Sequence, residues 1–282
     1  MEGPVLVGVD GSEAALKAVG WAAAEAVRRD RRLLLLTAFT MDTAEVAFTW
    51  REEDIRAGLD HVLDTAHGRV LAVAPDLEIE RATVLDSPTA ALLHRAAEAT
   101  MVVVGLRGRG GFPALKAGSV AYRVAAHSPV PVVVVGSEPE PEGEPVVVVG
   151  ADGSPHGRRA LAAAFDAAAA LSARVHALRA WEPLIPPAQM MVSYDFGAMH
   201  AAEDDALRRD LDPWRARYPD LRVESDTVES APVPALARAA RGARLLVVGA
   251  RGRHGLPVLA LGATAHGVLH RVPCPVMIVH AE

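Results

Sequence analysis

The sequence predicts an α/β protein made of two tandem five-stranded parallel-sheet domains with Rossmann-like layering. Three observations predict it. Short apolar, β-branched runs alternate with segments of helical period, the pattern of strands buried on both faces and covered by helices. The series occurs twice: VLVGVDGS at 5–12 returns as VVVGADGS at 147–154. Each copy also carries G-x-x-G, nine residues and another Gly behind an apolar run. The first set is Gly105, Gly108 and Gly118, and the second is Gly249, Gly252 and Gly262.

The offsets between the copies are nearly constant. Asp10 maps to Asp152 (152 − 10 = 142), while Gly105 maps to Gly249 and Pro129 to Pro273 (both 144). The order of elements is kept, with a net change of two residues in the middle. This is a duplicated domain of about 140 residues, an ordinary domain size. The expected domains are 1–137 and 145–282. The linker between them, 138–144, sits in a stretch rich in Glu, Pro and Gly that suits an exposed, extended connection.

Each element has its own signal. Val5–Val9 is an apolar run and reads as a buried strand. Ser12 caps a helix from Glu13 to about Arg29, Ala-rich with an apolar stripe through Leu16, Val19 and Ala23. Leu33–Phe39 is the second strand, and 40–51 a variable segment before a helix over 52–74. Glu78–Val84 is the third strand. Ser87-Pro88 opens a helix to about Ala99, with Pro in the first turn. Met101–Gly105 is the fourth strand, Ser119–Ala126 a helix, and Val130–Val135 the fifth strand. In the second copy the strands are 146–150, 174–180, 222–228, 245–249 and 275–280. Its helices are 155–172, 199–217, 232–241 and 263–270.

Composition narrows the function classes. The chain has 282 residues, 51% hydrophobic and 23% charged, enough for packed cores. A net charge of −6 argues against a general nucleic-acid binder, which needs a basic face. It leaves room for a small anionic ligand, because local donors make such a site. No apolar run approaches the roughly 20 residues that cross a bilayer, and Met1-Glu-Gly-Pro has no signal-peptide pattern. The lone Cys274 cannot form an intramolecular disulfide, which fits a reducing cytoplasm.

Ligands of parallel α/β sheets sit at the carboxyl ends of strands, where Asp10, Gly105, Asp152 and Gly249 all fall. Gly108 and Gly118 let backbone approach a phosphate, and Gly118-Ser119-Val120 opens a helix whose free N–H groups bind anions. The alternative for these glycines is tight turning and close helix packing. Asp10 accepts hydrogen bonds from ribose or an adenine amine in one reading, and is a turn and cap residue in the other. Arg107, Arg109, Arg251 and Arg253 flank the loops as phosphate partners or solvated charge, the latter being the expectation for Arg109 and Arg253. No side-chain metal site, G-x-S-x-G elbow or P-loop lysine is seen, so no catalytic residue is assigned. His94, His127 and His266 read as surface or helix residues, Cys274 as core, and Trp21 and Trp181 as packing groups.

Strand-Asp-Gly-Ser, then G-x-x-G-x9-G-Ser, then SPVPVVVV together resemble the universal stress protein family, and in particular its tandem members from actinobacteria. The resemblance covers nearly the whole chain, twice. It implies the adenine nucleotide α-hydrolase-like form of the fold, and ATP, in some members, at the glycine loop. Carried onto this chain, it implies Asp10 at the ribose or base and the Ala38 backbone at adenine. It places Gly105, Gly108, Gly118, Ser119 and Val120 at phosphates. The second copy matches at Asp152, Ala180, Gly249, Gly252 and Gly262. It departs at Ala263, where the pattern has Ser or Thr; Thr264 follows, in the place of Val120. The second site is therefore expected to be the weaker. The resemblance further implies pairing of the two domains through the apolar fifth strands as a pseudo-dimer, and a homodimer is compatible with it. The expected function is ATP binding as a regulatory switch in stress response or signalling, with Mg²⁺ as a companion of the triphosphate. No membrane or nucleic-acid partner is expected. A slow ATPase and a nucleotide-free scaffold are the alternatives, and no general base beside the loop marks an efficient enzyme.

Overall fold

Strand Val5–Gly8 (β1) shows why the sheet needs cover on both sides: Val5, Leu6 and Val7 point to alternate faces, and each is fully buried. The protein is described here by a computed structural model, covering residues 3–40, 51–108, 117–136, 143–183, 195–253 and 260–281. The chain divides into two compact units, Met1–Pro139 and Glu140–Glu282. The expected linker falls at this division, and residues 138–142 of it lie outside the described residues.

In the first unit, β1 is followed by α1 (Glu13–Arg28), β2 (Leu33–Ala38), α2 (Glu52–Leu71) and β3 (Ile79–Val84). Then come α3 (Pro88–Ala96), β4 (Met101–Gly105), α4 (Ser119–His127) and β5 (Val132–Val135). The strands lie in the order β3-β2-β1-β4-β5, and every pair is parallel. The order reverses between β1 and β4, which opens a crevice at their carboxyl ends. Helix α1 lays Ala15, Ala18, Val19, Ala22 and Ala26 on β1, β4 and β5, the small side chains allowing close approach. Helix α2 covers β2 and β3 beside α1; α3 and α4 pack together on the other face.

The second unit repeats this with β6 (Val146–Gly150), α5 (Pro155–Leu171), β7 (Arg174–Trp181), α6 (Phe196–Arg217) and β8 (Val223–Glu229). It closes with α7 (Pro232–Ala239), β9 (Leu245–Gly249), α8 (Ala263–Arg271) and β10 (Val276–Val279). The strand order is β8-β7-β6-β9-β10, again parallel. Register locates the two-residue change between copies. Val5 pairs with Leu33 as Val147 pairs with Val175, an offset of 142; Leu33 pairs with Ile79 as Val175 pairs with Val223, where it has become 144.

Element ends follow local chemistry. Ser12, Ser87, Ser154 and Asp195 each accept a backbone N–H from the first turn of their helix. Asp195 therefore starts α6 at Phe196, three residues before the sequence expectation. Strand β5 starts at Val132 rather than Val130 because Pro131 has no N–H to give, although its carbonyl accepts from Val102 at 3.0 Å. The third strands are half-buried edges in both units.

The two cores are filled differently. Phe165 on α5 lies 5.9 Å from the Trp214 ring and 5.7 Å from Tyr218, both on or next to α6. The Tyr218 hydroxyl donates to Asp166. The equivalent positions in the first unit are Ala23, Val70 and Ala74, all buried. Phe165 is fully buried, so Phe165→Ala should cost about 3–5 kcal/mol of unfolding free energy, because helix contacts on two sides limit collapse of the cavity. Urea denaturation followed by far-UV circular dichroism measures this.

Candidate functional site

A cleft of about 300 Å³ opens at the carboxyl ends of β1 and β4, where the strand order reverses. Asp10, Ala38, Gly105, Gly108, Gly118, Ser119 and Val120 all line it. Seven residues spread over 111 positions of sequence thus meet in one place. The cleft also has apolar walls that motif reading does not identify: Val9, Leu36, Pro88, Leu92 and Val104. Leu92 reaches it across β1, since a Cβ at Gly8 would lie 3.1 Å from its Cδ1. One end is therefore apolar, and the other is backbone and hydroxyl.

Hydrogen bonds fix the polar end. The Asp10 Oδ1 accepts from Ser12 N–H at 2.9 Å, a turn completed by Gly11 at φ 79°. The Ser12 hydroxyl accepts from Ala15 N–H and donates to the Arg107 carbonyl at 3.2 Å. The Asp-Gly-Ser turn thereby ties the end of β1 to the glycine loop after β4. Asp10 is thus a turn former, and it also sits in the cleft wall.

The glycines divide by physical cause. A Cβ at Gly105 would lie 2.7 Å from the Ala14 carbonyl carbon and 2.8 Å from the Ala15 nitrogen, so glycine there lets the loop touch α1. A Cβ at Gly108 would lie 2.4 Å from the Asp10 Oδ2. Gly118 is different. Its φ of −73° suits any residue, and the nearest atom to a built Cβ is 3.5 Å away, an ordinary contact. It caps α4 with no side-chain hydrogen bond, so the first-turn N–H groups receive no acceptor from the cap residue.

The second unit repeats the frame. Asp152 Oδ1 accepts from Ser154 N–H at 2.9 Å, and the Ser154 hydroxyl donates to the Arg251 carbonyl at 3.3 Å. A Cβ at Gly249 would lie 2.7 Å from the His156 carbonyl carbon, and one at Gly252 2.8 Å from Asp152 Oδ2. Gly262 caps α8 without a side-chain bond, with Ala263 and Thr264 in the first turn. Ala180 lies on β7, two residues past Leu178, which pairs with Gly150.

Arg253 departs from expectation. Its side chain is paired with Glu203 of α6 at 3.3 Å, and its N–H donates to Asp152 Oδ2 at 3.1 Å. Glu203 also takes Arg179 Nε at 2.5 Å, and Arg179 Nη1 reaches Asp210 at 3.3 Å. Arg179 is 4% exposed. Motif reading misses this network because its members come from a strand, a helix and a loop; the one signal is an arginine inside the apolar run of β7. Burial works to raise the Glu203 pKa, but hydrogen bonds from Arg179 and Arg253 outweigh it and hold the carboxyl below its ordinary value.

His156, in the first turn of α5, is held below the usual histidine range by burial, then by the Arg251 and His280 charges. Its Nδ1 accepts from Ala281 N–H at 2.7 Å, which sets the neutral tautomer. The Cys274 thiol is pushed up to about 12 by burial, so it is not a nucleophile. Trp181 is buried against His200; His94, His127 and His266 are exposed helix residues. Arg109 lies outside the described residues. Among the described residues, no group of three or more His, Cys, Asp or Glu is placed to hold a metal ion, and no helix is long and apolar enough to cross a membrane.

Comparison with known proteins shows the family. The model of the universal stress protein family matches residues 1–136 and again 145–280. A universal stress protein of Mycobacterium tuberculosis is 32% identical over 286 residues, covering 97% of this chain and 96% of its own length. Another from the same species is 31% identical over 299 residues, covering 97% and 94%. Among solved structures, a universal stress protein from Archaeoglobus fulgidus superposes with a TM-score of 0.71 at 17% identity, covering 100% of this chain and 97% of that one.

Two outcomes test the geometry. Gly105→Ala should destabilise by about 1–3 kcal/mol, because backbone must move, whereas Gly118→Ala should leave the unfolding free energy within about 0.5 kcal/mol of wild type; calorimetry separates them. Glu203 has a folded-state pKa below its unfolded value, so its contribution is complete above about pH 4.5 and is lost as pH falls through the folded value. Wild type should then lose stability on acidification more steeply than Glu203→Gln, read from urea midpoints at a series of pH values.

Proposed function

Since the chain belongs to the universal stress protein family and carries two of its domains in tandem, we propose that it is an ATP-binding stress-response or signalling protein with one nucleotide site per domain. Gly118 carries the reading. Neither its dihedral angles nor any packed neighbour demands glycine there, yet it opens α4 at the floor of the cleft without a side-chain cap. A bound phosphate accounts for it. The N–H groups at the start of α4 favour an anionic acceptor, and glycine at 118 leaves its approach open. Gly105 and Gly108 bring the loop up to α1 and Asp10, and the Ser119 hydroxyl adds a donor.

The two ends of the cleft suit the two ends of a nucleotide. Leu36, Leu92 and Val104 offer an apolar wall to a base, with the Ala38 backbone at its edge. Asp10 accepts from ribose hydroxyls or the base amine. The second domain offers Asp152, Ala180, Gly249, Gly252, Gly262, Ala263 and Thr264 in the corresponding places. Any Mg²⁺ arrives on the triphosphate, since the chain supplies no cluster of carboxylates for it among the described residues. A cradle built from backbone donors binds a phosphate and fits a regulatory switch. Pairing of the domains through their fifth strands belongs to the same proposal, on the apolar character of Val132–Val135 and Val276–Val279.

Ala263 removes one hydroxyl from the second cradle, worth about 1 kcal/mol or somewhat more against a charged acceptor. Titration calorimetry with ATP should therefore resolve two sites, the second roughly fivefold weaker. Gly118→Asp should abolish the tighter and Gly262→Asp the weaker. Equal or tighter binding by the second domain sinks the ranking. No ATP binding by wild type, with no nucleotide released on acid extraction, sinks the whole reading in favour of a scaffold.

A further inference from the structure

The two copies differ in charge beside the second glycine loop. Strand register makes Arg179 the equivalent of Thr37, and the helices before β3 and β8 align so that Leu63 and Leu207, both buried, coincide. Glu203 and Asp210 then occupy the places of Leu59 and Ala66. One domain has a hydroxyl and two apolar side chains here; the other has an arginine and two carboxylates.

The charges form a chain that ends at the loop. Arg179 sits against the Asp-Gly-Ser turn, for a Cβ at Gly153 would lie 3.5 Å from its Nη1. It holds Glu203 at 2.5 Å and Asp210 at 3.3 Å. One cation thus serves two anions, and Arg253 supplies the fourth charge. The Arg253 side chain is 39% exposed and reaches Glu203 through two long bonds, Nη2 at 3.3 Å and Nη1 at 3.5 Å, while Arg179 is 4% exposed. The exposed pair is the weak link, screened by water; the buried pair is the strong one. Arg253 follows Gly252, whose nitrogen lies 3.6 Å from a Cβ built on Gly262, the opening residue of α8. The weakly held guanidinium therefore belongs to the same loop as the phosphate cradle.

We propose that Arg253 determines specificity at the second site: the terminal phosphate of a nucleoside triphosphate takes its guanidinium from Glu203, so this site favours triphosphate over diphosphate, and Glu203 sets by how much. The proposal rests on the nucleotide reading of the second domain. A terminal phosphate outcompetes one carboxylate because it carries more charge and more acceptors in a geometry that matches the guanidinium fork. Glu203 is not stranded by the exchange, since Arg179 remains in place.

Calorimetry on the Gly118→Asp chain, with ATP and ADP in turn, reads the second site alone. Arg253→Ala should weaken ATP roughly three- to tenfold and ADP less than about twofold. Glu203→Gln, which keeps an acceptor for Arg179, should tighten ATP roughly two- to threefold. That gain should vanish when Arg253 is also Ala, since the two act through one contact. Equal losses for ATP and ADP on Arg253→Ala overturn the proposal, as does a Glu203→Gln gain that persists without Arg253. Unfolding midpoints establish that each variant folds; if Glu203→Gln does not, the ATP-to-ADP ratio of Arg253→Ala against Arg253→Lys decides. Failure of the underlying reading looks different: the Gly118→Asp chain then binds neither nucleotide, and the proposal falls with it.

Discussion

Backbone touches backbone at Gly105 and Gly249, and both candidate sites depend on that contact. Each ends a buried strand and lies where a Cβ would sit 2.7 Å from the first turn of the neighbouring helix. Without a side chain there, the loop after the fourth strand folds over the Asp-Gly-Ser turn after the first. The serine hydroxyl then reaches the loop carbonyl of Arg107 or Arg251, and the aspartate faces the second glycine. Move that loop outward by one methyl group and the cleft loses its wall. The site is thus a consequence of packing before it is a matter of recognition.

That view separates glycines that motif reading treats alike. Gly105 and Gly108 answer to neighbours inside the protein, whereas Gly118 answers to none that an added methyl would meet closer than 3.5 Å. A residue kept small without an internal reason is the better pointer to a ligand. Gly262 is intermediate, since its Cβ would meet the Arg251 Cα at 3.3 Å.

Duplication left the frame intact and changed its fillings. The Phe165, Trp214 and Tyr218 rings stand where the first domain has Ala23, Val70 and Ala74. Arg179, Glu203 and Asp210 stand where it has Thr37, Leu59 and Ala66. A buried ion network is a poor way to gain stability compared with apolar packing, because desolvation offsets most of the attraction. Its place beside the second glycine loop is what the proposed role of Arg253 draws on.

The sequence by itself determined the fold and the aspartate and glycine positions that line the candidate cleft. Hydrophobic period fixes which residues are strand and which are helix, the repeat fixes equivalence, and Asp10, Gly105, Gly108 and Gly118 announce themselves because turns and close approaches admit few residue types. Helix ends shifted by a few residues, as at Phe196, where an Asp195 cap is a local hydrogen bond that competing polar residues nearby could also have made. Only the tertiary structure decided the apolar walls, Leu36 and Leu92, and the pairing of Glu203 with both Arg253 and Arg179. The ion pairs join residues 24 and 50 positions apart, and no one-dimensional spacing rule encodes a distance set by how a helix lies across a sheet.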